Sequence, residues 1–288
     1  MEASVPARAA LAGNPSDGYG GAVVATLVPH FAATARLTAS PCATPKLVSA
    51  SIARCAREFG ADPRTEVSIE TTIPRSVGLA GSSAIVLAVI NLLATATNVE
   101  LDPERLSRIA HAVERDDLGI AGGWQDQVIQ AHGVTGLMEF GDPFTFRALD
   151  IPTASPIPLF LAWNDADAES SGISHAGLQQ RRNDQSVQAH MYELAGLARD
   201  AADAIERRDI HLLKEAINAT FELRLHVIEV SERHLRAIET ARQFGAAANV
   251  TGSGGAIVGV LPKDGNAFGA AMEQAGYRCL IFGLTRSP

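Results

Sequence analysis

The stretch PRSVGLAGSSAIV, residues 74–86, limits what this chain can fold into more than any other. A proline and two glycines lead into Ser82-Ser83-Ala84, and an apolar run to Leu93 follows. This is the pattern of a glycine-rich loop feeding the first turn of a helix. The N–H groups of such a turn have no partner inside the helix and suit an anion, phosphate above all. Taken alone, a tight turn with a serine cap fits the same residues. No lysine follows the glycines, so this is not a G-x-x-x-x-G-K-S/T loop. It is not G-x-G-x-x-G either, and no acidic residue sits at the ribose position of a βαβ frame.

Three other polar islands lie far away along the chain: Asn14-Pro15-Ser16-Asp17, Gly122-Gly123-Trp124-Gln125-Asp126-Gln127 and Thr251-Gly252-Ser253-Gly254-Gly255. Together with the central loop they suggest one site assembled from distant turns around a phosphorylated ligand.

The chain has 288 residues, room for one large domain or two of roughly 130–150 residues. Prolines cluster near residues 150–157, a plausible boundary. Strands are expected at residues 5–12, 31–37, 67–71, 137–140, 158–163, 247–250, 256–260 and 278–282. Residues 22–28 read as strand or short helix. Helices are expected at 44–59, 85–93, 103–115, 128–131, 185–207 and 266–275, with one or two more in 209–231 and another from Ser231 to about Gly245. Asp102 and Pro103 are an N-cap and a first-turn proline. Strands and helices mix in both halves without strict βαβ repetition, so the expected class is α+β.

Net charge is -8, which argues against nucleic acid or an anionic membrane as a general partner. Three cysteines, Cys42, Cys55 and Cys279, give no CxxC spacing and no disulfide framework. The start, MEASVPARAALAG, is too polar for a signal peptide, and the longest apolar run, residues 84–97, is too short to span a membrane. A cytoplasmic enzyme acting on a small molecule, with no nucleic-acid or membrane partner and as monomer or homodimer, is the expectation. The eight histidines form no HExxH and no cysteine pairing, and there is no G-x-S-x-G elbow, so zinc and serine-hydrolase chemistry have little support.

Two carboxylates stand out. Glu114 ends a helix with an otherwise apolar face; it either completes a Mg2+ site with a serine hydroxyl and substrate phosphates or pairs at the surface with Arg115 or Arg108. Asp126 follows two glycines at a helix start. It either orients a substrate hydroxyl and accepts its proton or simply caps the helix. Asn14, Ser16 and Asp17 can bind sugar hydroxyls or form an Asx turn. The glycines after Thr251 either approach phosphate or close a hairpin.

Taken together, the set resembles the GHMP small-molecule kinases. Three islands correspond in order and spacing: residues 14–17, 74–84 and 251–256. The resemblance implies a two-domain α+β fold with ATP and acceptor in the interdomain cleft, residues 1–155 forming an N-terminal ATP-binding domain and 156–288 a C-terminal domain. It implies that Pro74, Gly78, Leu79, Ala80, Gly81, Ser82, Ser83 and Ala84 wrap the ATP phosphates, that Ser83 and Glu114 hold Mg2+, and that Asp126 is catalytic. Arg8 lies where many members carry a lysine near the attacking hydroxyl. Thr251, Gly252, Ser253 and Gly254 match the third motif of the family.

Within that family the chain resembles the plant-type glucuronokinases, on the longer loop GLAGSSAIV, on residues 13–17 and 125–128, on Gln180-Arg181-Arg182 and on NATFELR, residues 218–224. This group implies phosphoryl transfer to the anomeric hydroxyl of a uronic acid. Arginine pairs with carboxylate through its planar fork, so Arg181, Arg182 and Arg224 are candidate acceptor ligands. Ile173 departs from the pattern, standing where a basic residue is expected. The alternatives are a kinase for a neutral sugar or a mevalonate-type acid, and a non-catalytic ligand-sensing protein of the same fold.

Overall fold

The computed structural model describes residues 1–40, 44–120, 122–151, 156–164, 177, 178, 180–252 and 254–284. The chain forms two compact units, each assembled from separate stretches. One comprises Met1–Arg8, Leu27–Pro74 and Ala80–Gly133; the other comprises Ala9–Thr26, Arg75–Leu79 and Val134–Pro288.

Strands β1 (Glu2–Ala12) and β2 (Ala22–Leu37) contribute to both units. The sequence suggests two separate segments around Pro29, yet β2 is one strand of 16 residues. The reason lies in its partners. Residues 33–37 pair antiparallel with β3 (Val67–Thr71), and residues 22–25 pair with β4 (Gly136–Glu139). Exposed Pro29 falls in the stretch that neither strand pairs, so its missing N–H breaks no bond of either ladder.

In the first unit, α2 (Gly81–Ala96) is the central helix. It carries no charged residue and is buried on nearly every face, as expected of a helix apolar all round. Each large apolar side chain buried there, Leu87 and Ile90 among them, contributes about 1.5–3 kcal/mol. The helices α1 (Lys46–Phe59) and α3 (Pro103–Ala112) pack against it, as does α4 (Gln125–His132). Asp102 caps α3 by accepting from the Arg105 N–H at 2.8 Å, with Pro103 opening the helix as the sequence predicts. Beyond Ala112 the helix does not continue to Arg115 as an α-helix. It widens into a π turn, Val113–Asp117, with Val113 and Glu114 inward and residues 115–117 outward.

In the second unit, β4 also pairs with β5 (Thr145–Ala148), a short exposed edge strand that no periodicity in the sequence reveals. A four-stranded antiparallel sheet runs in the order β7 (Ala247–Val250), β8 (Ala256–Val260), β6 (Ile157–Trp163), β9 (Arg278–Leu284). The helix α5 (Gln185–Arg207) packs against β4 and α6 (Ile210–Leu225), and α6, α7 (Glu232–Gln243) and α8 (Gly265–Gln274) pack on the sheet. Phe160, Phe221, Ile238 and Phe268 form its core, with Phe160 and Phe268 edge-on at 4.6 Å between centroids. Asp184, Asp209 and Asp264 cap α5, α6 and α8 through backbone N–H groups.

Among the described residues no helix is long and apolar enough to cross a membrane. Burial pushes the Cys55 thiol up to about 12 and that of Cys279 to about 11, so neither is a reactive thiolate. Cys42 and Pro152 lie outside the described residues.

Candidate active site

The loop between Pro74 and α2 is held by main chain. Gly78 has φ +76, and a Cβ there would lie 2.3 Å from the Thr251 carbonyl oxygen and 2.7 Å from that of Gly254. Gly255 has φ +98, and its Cβ would lie 2.4 Å from Val77 Cα. The two glycine turns therefore touch backbone to backbone, which no larger residue at either position permits. The turn at residues 251–255 also closes the β7–β8 hairpin, with Thr251 N–H donating to Ala256 O at 3.0 Å.

Two residues beyond Gly78, Ala80 takes the left-handed conformation, φ +58, at the N-cap of α2. For a residue with a Cβ this costs about 1–2 kcal/mol. The Gln130 amide donates to the Ala80 carbonyl at 3.3 Å and to that of Pro6 at 2.8 Å, bracing the strained residue. No side chain caps the helix. Its first-turn N–H groups, from Gly81 and Ser82 onward, are left for an anion.

At the same helix start, the buried Ser83 hydroxyl donates to Glu114 Oε2 at 2.8 Å. The Gln127 amide donates to that same carboxylate oxygen and lies 3.2 Å from Ser83 Oγ. Glu114 is 4% exposed, ruling out the surface pairing with Arg115 or Arg108. Burial drives its carboxyl above the usual carboxylate range. The hydroxyls of Ser82 and Ser83 oppose that rise, and the charge of Asp126 adds to it. A hydroxyl and a carboxylate, both hard oxygen donors beside an uncapped helix start, fit Mg2+, which takes one or two protein ligands and leaves the rest to phosphate and water. Among the described residues there is no cluster of three histidine, cysteine, aspartate or glutamate ligands.

In the same unit, Asp126 sits in the first turn of α4, whose N-cap is Trp124. Arg8, on β1, donates from Nε to Asp126 Oδ1 at 2.8 Å, and its Nη2 donates to the same oxygen. The arginine side chain is 3% exposed and the aspartate 26%. A buried cation thus pins one oxygen of a partly open carboxylate.

The second unit holds most of the expected acceptor residues. Asn14 is buried and donates to Val250 O at 3.3 Å, while its Oδ1 accepts from Asn249 at 3.2 Å. The Ser16 hydroxyl donates to Ala22 O at 2.8 Å, and Asp17 is buried beside it. Thr251 Oγ1 accepts from Ala10 N–H at 3.0 Å. Arg224 is 1% exposed and donates to the carbonyls of Val250 at 2.7 Å and Gly252 at 2.9 Å, gripping the hairpin turn from within. Arg181 and Arg182, by contrast, are exposed. Their charges act on Tyr19, whose hydroxyl donates to Leu178 O at 2.8 Å; burial pushes that phenol up, and both arginines pull it back. Ser253 and Ile173 lie outside the described residues.

Sequence reasoning gave Gln127 no role of its own and missed Gln130 and Asn249. A signal existed for the first two: amides at i and i+3 flanking Val128-Ile129 lie on the buried side of a short helix.

Residues 46–134 match the GHMP kinases N terminal domain and residues 201–278 the GHMP kinases C terminal, together more than half of the chain. A probable glucuronokinase 2 from Arabidopsis thaliana is 34% identical over 219 residues, covering 70% of this chain and 58% of that protein. Glucuronokinase 1 of the same plant is 33% identical over 211 residues, covering 68% and 57%. The chain thus spans less than two thirds of the length of these relatives. The crystal structure of Streptococcus pneumoniae phosphomevalonate kinase superimposes with TM-score 0.81 at 15% identity, covering 98% of this chain and 99% of that one. At that identity the likeness shows the fold.

Proposed function

This chain belongs to the GHMP kinase family, with its two-domain α+β fold, and from that premise we propose that it is an ATP-dependent kinase. The reaction proposed is transfer of the γ-phosphoryl group to a hydroxyl of a small carboxylated sugar, the anomeric hydroxyl of glucuronic acid or a related uronic acid. In this reading residues 1–155 supply the nucleotide-binding part and 156–288 the C-terminal part.

The observation that carries the kinase reading is the meeting of Ser83, Glu114 and Asp126 in one unit, at the start of an uncapped helix. The first-turn N–H groups of α2 would take phosphate oxygens. Ser83 and Glu114 would hold Mg2+, which, when bound, offsets the charge of the phosphates. Asp126 would orient the acceptor hydroxyl and take its proton. Arg8 fixes Oδ1, which leaves Oδ2 as the oxygen for that task. The buried guanidinium also sets a fixed positive charge against that carboxylate.

Two observations support the acid as acceptor. Arg181 and Arg182 are exposed, and their charges reach Tyr19, two residues after Asp17. The relatives matched over most of this chain are glucuronokinases. A screen of ATP consumption over uronic acids, neutral sugars and mevalonate, with phosphorus NMR of the product, tests the reading. A uronic acid 1-phosphate is expected. Preferential turnover of a neutral sugar or mevalonate would replace the acceptor, and ATP binding without transfer to any of them would make the chain a ligand sensor.

A further inference from the structure

The hairpin turn at residues 251–255 is anchored by a histidine that neither the sequence motifs nor the proposed reaction uses. His234, in the first turn of α7, is 4% exposed. Its Nε2 accepts from the Gly255 N–H at 2.7 Å, and its Nδ1 lies 2.8 Å from the Ser231 hydroxyl. A backbone N–H only donates. Nε2 therefore carries the lone pair, the proton resides on Nδ1, and Ser231 Oγ accepts it. Ser231 makes no cap bond to α7, so its hydroxyl is available for that bond.

The peptide that His234 holds is the one against which the central loop rests. A Cβ on Gly255 would meet Val77 Cα at 2.4 Å and Ser76 O at 2.9 Å, and Gly254 lies against the ring edge, with its Cβ position 3.4 Å from Cε1. The N–H groups of Thr251 and Gly254 are bonded to Ala256 O and Thr251 O. With Gly255 bonded to the ring, the N–H groups of Thr251, Gly254 and Gly255 all have partners within the protein.

We propose that His234 is a positioning residue. It fixes the Gly254–Gly255 peptide as the seat of the Ser76–Gly78 backbone, and so presets the loop that enters α2 before any nucleotide arrives. The proposal rests on the kinase reading for its consequence, but its physical content is a hold of one turn on another within a single unit.

The test uses the full chain with His234→Ala and His234→Gln, the glutamine keeping a carbonyl acceptor near the position of Nε2. Amide hydrogen exchange is read without ligand, and KM for ATP and kcat with the best acceptor. In His234→Ala, exchange at residues 75–81 and 251–256 should rise about tenfold, as should KM for ATP, with kcat within about twofold. Exchange in β6 should stay unchanged, which shows that the sheet remains folded. Glutamine should restore most of both effects. Unchanged exchange at residues 75–81 in His234→Ala, or glutamine no better than alanine, overturns the proposal. Should the parent protein consume no ATP with any acceptor, the kinase reading fails, and the exchange data alone still decide the role of His234.

Discussion

The Ser83 hydroxyl donates to the Glu114 carboxylate at 2.8 Å, joining the first turn of α2 to the π turn that follows α3. The pair places an acid in surroundings that favour its neutral form, with only hydroxyls and an amide to compensate. A cation bound there would restore the charged form of the carboxylate.

That relation fixes a sign for pH dependence. Below the ordinary glutamate range, about pH 4.3, folded and unfolded chains both hold the proton. As pH rises, the unfolded chain releases it first, because burial holds the folded value up. Stability is thus lost from about pH 4.3 upward until pH passes the folded value. Glu114→Gln removes the loss. Calorimetry should show the variant gaining stability on the parent as pH rises from 4 to 7, while its Mg2+ requirement for turnover rises. A stability difference independent of pH would count against this account of the carboxylate.

Asp126→Asn keeps an oxygen for Arg8 and removes the carboxylate. Turnover should fall by at least ~10²-fold, the scale of a positioned proton-transfer group, while nucleotide titration shows ATP binding little changed. Turnover near that of the parent would exclude Asp126 from the reaction.

The three arginines should behave differently. Arg181→Ala or Arg182→Ala should lower kcat/KM for uronic acids about tenfold more than for neutral sugars, if a charge-assisted pair with the carboxylate is lost. Arg224→Lys should weaken both substrates alike, because Arg224 serves two carbonyls of the hairpin turn. Equal losses for all three variants on both substrates would remove the basis for an acidic acceptor.

Gly78→Ala sets a Cβ against two carbonyl oxygens at φ +76. Overpacking and left-handed strain together cost about 2–5 kcal/mol, readable as a lower denaturation midpoint. Gly269→Ala in α8, where a Cβ meets nothing within 4 Å, should be neutral or stabilising by about 0.5–1 kcal/mol. Similar midpoints for the two variants would contradict the interlocked turns.

Much of this was legible in the chain. The charge-free run of α2, the Asp102-Pro103 start and the alternation of β3 each carry one dominant signal, and each forms the element it suggests. The phase of Leu106, Ile109 and Ala110 already points Glu114 at the buried side. The rest depended on partners distant in sequence. β5 owes its strand geometry to β4, and the unbroken course of β2 to the spacing of β3 and β4. Arg224 carries the residue type of a carboxylate clamp, but what it grips is set by where β7 ends. His234 sits in no motif, since its partner is a peptide N–H that any residue would present.

The backbone contact between Gly78 and the Thr251 and Gly254 carbonyls has a consequence for how such a protein diversifies. Main chain makes this contact, so an exposed neighbour such as Arg75 is open to exchange without disturbing it. An insertion in either turn, however, would need a matching change in the other. Descendants of this scaffold should therefore vary what they recognise far more readily than the length of these two loops.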